Sequence, residues 1–175
     1  LGFNNKADGE NASAFGHDNN ATGLSSSAIG FENTASGVGS STIGYNNTAD
    51  SENASAIGYS NNANGVASSA FGFRNTASGQ NANAFGYNNT VSGQSSNVFG
   101  SSNTVTVKDS TAVGNSNNIT AEEAFALGNN TSVSLANSVA LGSGSVAAAI
   151  NNVKGNSSYT KWAGVDDVVG VVSVG

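Results

Sequence analysis

The chain has 175 residues, a net charge of −6, 23 glycines, no proline and no cysteine, and only 9% of it is charged. This is not a globular average, and it excludes several classes: glycine is not every third residue, as collagen requires, and no thiol is present for a disulfide or a thiolate metal site. Five basic residues in an acidic chain speak against nucleic acid or an anionic membrane as partner, and no apolar run reaches the length of a membrane-spanning helix.

From Leu1 onward the chain repeats with a period of 14. Gly2, Gly16, Gly30, Gly44, Gly58, Gly72, Gly86, Gly100, Gly114, Gly128 and Gly142 recur without insertion, making eleven copies. Before each glycine stands a large apolar residue: Leu1, Phe15, Ile29, Ile43, Ile57, Phe71, Phe85, Phe99, Val113, Leu127 and Leu141. A small residue, usually alanine, precedes it. Three after the glycine comes asparagine in nine copies, and Thr131 and Ser145 end that series. A polar, low-complexity text would by default be disordered, but disorder does not hold an apolar position in phase for eleven copies. Because Leu1 already fills the apolar slot and no basic-then-apolar segment precedes it, the chain is expected to begin inside an array, as a fragment of something longer.

Fourteen residues are too few for two helices, and the text around each glycine alternates small and large residues with the period of a strand. Each copy is therefore predicted to form two short strands. Asparagine-rich groups and Gly-Gln or Glu-Asn pairs form the corners, where asparagine and glycine tolerate a left-handed backbone. Stacked at about 4.8 Å, the coils make an all-β solenoid roughly 50 Å long. The asparagines Asn5 through Asn103 would lie in a file in which stacked amides bond one another. Triplets such as Asn46-Asn47-Thr48 and Asn53-Ala54-Ser55 also read as glycosylation acceptors, but turn composition accounts for them.

Alternation divides the faces. On the first strand alanine and the anchor glycine are predicted to share the inner side. On the second, Ala77 and Gly79 point inward while Thr76 and Ser78 point out. A thin interior of alanine and glycine leaves no room for the large residues. Phe15, Ile29, Ile43, Ile57, Phe71, Phe85, Phe99, Val113, Leu127 and Leu141 then form an outer strip of about 500 Å², in the upper range of what a soluble monomer exposes. Copies of the same chain around a symmetry axis would cover it, with roughly 1.5 to 3 kcal/mol for each side chain fully buried. Phe3, Phe31, Tyr45, Tyr59, Phe73 and Tyr87 follow the anchor glycine and flank this strip by parity; packing is the favoured role over ligand stacking.

Ala28-Ile29-Gly30 with Asn33-Thr34-Ala35-Ser36-Gly37, and Ser55-Ala56-Ile57-Gly58 likewise, resemble the head repeats of YadA-like trimeric autotransporter adhesins. The resemblance covers residues 1 to about 150. It implies a left-handed parallel β-roll that forms a homotrimer on the outer membrane of a Gram-negative bacterium and binds host extracellular matrix or cell-surface receptors. Left-handedness comes from the resemblance alone, since the general rule for parallel crossovers is right-handed.

From Ser101 the repeat loosens: Val107, Ala121, Leu135 and Ala149 replace the second-strand glycine, which predicts a wider interior. Glu122-Glu123 is read as a solvated turn rather than a metal or catalytic pair. The repeat is expected to end where Gly155 falls in the apolar slot. Residues 151–175 then form a strand-rich connector that resembles the family's link to its neck. Trp162 is a candidate cap on the apolar axis, with an exposed anchor for a host ligand as the alternative. His17, the single histidine, fills a slot held elsewhere by Phe or Tyr, which points to a structural role; three copies around an axis holding an ion is the other reading. No base stands at a meaningful spacing from any serine, so neither an enzyme nor a cofactor is read here.

Two functional classes remain, with a passive spacer as a third. One is an adhesive rod that binds repetitive host polymers through Thr34, Ser36, Thr48, Thr76, Ser78, Thr90 and Ser92, its weak contacts summing by multivalency. The other is an ice-binding solenoid, for which Thr34/Ser36, Thr76/Ser78, Thr90/Ser92 and Thr104/Thr106 form an outward hydroxyl ladder. Lys6, Asp8, Asp50, Asn62 and Asn64 break the ladder, which favours the adhesin.

Overall fold

The computed structural model describes residues 1–148 and 170–175, and every regular element in them is a β-strand. A typical repeat contributes a five-residue strand and a two-residue strand, as in Ser69–Phe73 and Thr76–Ala77. Each pairs in parallel with its own equivalents one repeat before and after. Ala70 lies opposite Ala56 and Ala84, and Phe71 opposite Ile57 and Phe85. The product is two parallel sheets, of 12 and 11 strands, wound as a solenoid of 14-residue coils. A one-residue slip would turn every buried alanine outward, so the side-chain pattern pins the register.

Two corners per coil require a left-handed residue. In one coil these are Ser60 (φ 51°) and Ala67 (φ 55°), and in the next Arg74 (φ 54°) and Asn81 (φ 56°). Asparagine and serine suit that backbone; Ala67, Glu32 and Arg74 do not, and take it because the ladder leaves no alternative. The Ala67 N–H, for example, donates to Glu52 O at 2.8 Å.

The interior differs from the expected file of alanine and glycine. Ala56, Ala63, Ala70 and Ala77 are fully buried, but so are Asn61, Asn75, Asn89, Ser68 and Ser96. The asparagines assigned to corner text are core residues. Their amides satisfy backbone carbonyls, which apolar side chains of that size could not do. Toward the C-terminal end Val91, Val98, Val105, Ile119 and Val133 replace alanines in the core, and Val107 packs against it, so the interior holds larger side chains.

The anchor glycine also departs from simple alternation. Gly58 and Gly72 have φ near +120°, and a methyl group built on Gly58 would point along the stack into the carbonyl of Gly72. Its missing side chain therefore faces neither inside nor outside. That backbone is closed to residues with a Cβ, which explains why the position never varies.

Pairing does not stop for good where Gly155 interrupts the pattern. Val172–Val174 joins the first sheet beside Val139–Leu141, with Ser173 opposite Ala140 and Val174 opposite Leu141. A methyl on Gly142 would meet the Gly175 carbonyl, as in every earlier coil. Val171 to Gly175 thus follows the text that opens a coil, in register and 33 residues after its partner (172 − 139).

Candidate functional surfaces

Three kinds of file run along the outside of the solenoid. The first is the apolar file before the anchor glycine. In the single chain Phe15 and Phe99 are 52% and 47% exposed, Ile29, Ile43 and Leu127 are also exposed, and Ile57, Phe71, Phe85, Val113 and Leu141 are half-buried. Residues of this file touch along the stack: the rings of Phe71, Phe85 and Phe99 lie 5.1 Å apart.

The second file follows the anchor glycine. Phe3, His17, Phe31, Tyr45, Tyr59, Phe73 and Tyr87 form a continuous ladder with centroids 4.7 to 5.2 Å apart. From His17 onward the planes lie within 8° of parallel. From His17 to Phe73 each ring is stacked on both sides, and only Phe3 and Tyr87, at the ends of the ladder, have a single ring neighbour. That geometry suits coil-to-coil packing and leaves the inner rings no open face for a stacking ligand. His17 sits between Phe3 and Phe31, with Nδ1 2.8 Å from an Asp18 carboxylate oxygen. Arg74 lies over the Phe73 ring at 5.1 Å.

The third is the outer face of the second strand. Thr34, Thr48 and Thr76 are half-buried, while Ser36, Ser78, Thr90 and Ser92 are exposed. Ser36 donates to Asp50 Oδ1 at 2.6 Å and Ser78 to Ser92 Oγ at 3.3 Å, so part of the hydroxyl ladder is internally bonded. Lys6 pairs with Asp8 at 2.8 Å and interrupts the face in the first coil.

Glu122 and Glu123 do not form a pair. Glu122 lies 3.3 Å from Lys108, and Glu123 occupies a left-handed corner, exposed. Among the described residues no group of three His, Asp or Glu side chains could hold a metal ion, and no helix is long and apolar enough to cross a membrane. Trp162 lies outside the described residues.

Beneath these surfaces runs an amide ladder whose full extent the repeat alone does not reveal. Asn61 Nδ2 reaches Asn47 Oδ1 at 3.0 Å, Ile57 O at 3.0 Å and Gly72 O at 2.8 Å, and Asn75 repeats the arrangement one coil on. The Asn75 backbone N–H donates to Asn61 Oδ1 at 3.0 Å. At the far end Thr131 keeps the bond toward Asn117, through Oγ1 at 2.7 Å. The signal in the sequence was the constancy of asparagine at one slot, where a surface corner would have drifted among Asn, Asp, Ser and Gly.

The fold and its files define a class: a parallel β-solenoid that presents the same side chains at every step of a rod. The sequence profile of the YadA head domain repeat, two copies long, matches residues 1–19, 7–33, 21–47, 35–61, 49–75, 63–89, 77–96 and 120–145. The chain belongs to this family, whose repeats mark a head domain of the trimeric autotransporter adhesin type. No curated protein matches the chain.

Proposed function

We propose that this chain is the head of a surface adhesin, a homotrimeric rod displayed outside the outer membrane of a Gram-negative bacterium that holds host extracellular matrix or cell-surface receptors through many weak contacts. The observation that carries this reading is the in-register repetition of a half-buried to exposed hydroxyl face along a rod of the adhesin family. A ligand that repeats along its own length gains avidity from each further coil that it spans. Residues 1–150 serve as the head roll and residues 151–175 as its connector.

The apolar file from Phe15 to Leu141 is the trimer seam. Its exposure in the lone chain supports this, because a run of half-exposed Phe, Ile and Leu side chains ten coils long is costly in water. Cyclic symmetry brings three such files together without leaving a free copy of the surface.

Replacing Thr34, Thr48, Thr76 and Thr90 together with lysine tests the adhesive face. In a solid-phase panel of host matrix proteins the folded parent binds at least one, and the variant binds it more weakly at unchanged circular dichroism. Unchanged binding moves the site to another face. Thermal hysteresis by the parent, with no matrix binding, replaces the adhesin with an ice-binding rod.

A further inference from the structure

Tyr45 and Tyr59 hold the same slot in consecutive coils and are register partners. Their rings stack with centroids 5.0 Å apart and planes 7° from parallel, and the residues are 41% and 39% exposed. Tyr87, the other tyrosine among the described residues, stacks on Phe73 and has Ser101 as its next register partner. The chain contains no cysteine and no methionine, so no sulfur side chain competes for oxidising equivalents.

We propose that Tyr45 and Tyr59 form an oxidative coupling site that staples two coils together. A one-electron oxidant, the ferryl haem of a peroxidase, removes one electron from each phenol, and each phenol releases its proton. The two phenoxyl radicals join through their ortho ring carbons, forming one C–C bond. The hydrogens on those carbons then move to the phenolic oxygens and restore both rings. Two electrons and two protons leave the pair, and the hydrogen peroxide that feeds the haem takes them up as water. The rings already lie 5.0 Å apart on strands paired in register, so coupling asks for rotation about side-chain bonds and no movement of the sheet. The product is a dityrosine bridge along the rod axis, in a chain with no disulfide to play that part.

The test treats the full folded chain with a haem peroxidase and limiting hydrogen peroxide, then cleaves after Glu and after Lys and Arg. Tyr45 falls in the peptide 33–52 and Tyr59 in 53–74. The expected product is one species with the summed mass of these two peptides less two hydrogens, from a chain that still runs as a single chain on a denaturing gel. Tyr59→Phe removes it and keeps the fold, since Phe31 and Phe73 fill the same slot in other coils. Phe73→Tyr closes the gap in the file and is expected to join 53–74 to the peptide carrying Tyr87 as well. Coupling that links two chains instead of these two peptides overturns the proposal. So do tyrosines left intact while free tyrosine added to the same reaction couples.

Discussion

Removing one rung of the amide ladder measures what holds the coils in register. Asn61 is 1% exposed, and its side-chain amide shares two protons among Asn47 Oδ1, Ile57 O and Gly72 O while Oδ1 accepts both the backbone and side-chain N–H of Asn75. Asn61→Ala deletes about four hydrogen bonds at about 1 kcal/mol each and leaves the Asn75 backbone N–H buried without its acceptor, so the expected loss is about 4 kcal/mol. Asn61→Asp keeps the shape but turns a carboxylate toward three oxygen acceptors, and is expected to cost more than alanine. Urea unfolding followed by circular dichroism gives the stabilities. Amide exchange gives the local effect, with the Asn75 N–H losing protection ahead of Asn103, three coils away, because a solenoid transmits a defect chiefly to its neighbours. A loss below about 1 kcal/mol with Asn75 still protected, or an aspartate variant as stable as the alanine one, would refute the assignment of register to this ladder.

The backbone makes a second contrast. Gly58→Ala is expected to abolish a folded rod, since φ is 121° and the new methyl would overlap the Gly72 carbonyl, whereas Ala67→Gly at φ 55° is expected to raise stability by up to about 1 kcal/mol in the same denaturant assay. Ile57→Asp places three carboxylates together in the proposed seam, and light scattering is expected to find the trimer lost or its melting point far below the parent; Ser60→Asp, at the following corner, is expected to do neither. A parental trimer in the Ile57→Asp variant would move the seam to another face.

How far the sequence reaches differs from one residue to the next. The repeat of 14 determined the solenoid, because an unbroken period allows only one way for each strand to meet its copies, and the outward placement of Ile57 and Phe71 followed from strand alternation, which sets them on the face opposite the buried Ala56 and Ala70. The corner at Ser60 was legible from composition, but the one at Ala67 was not, since alanine carries no left-handed preference and only the carbonyl ladder imposes that backbone. Asn61 was legible as a constant residue in a bonded file. That it lies in the core beside Ser68 depends on where the chain turns, and a local pattern of polar residues does not encode that. The return of the repeat at Val172–Val174 was hidden by the residues between, because pairing compares strands by position in space, and only the stacked sheet brings Val174 beside Leu141.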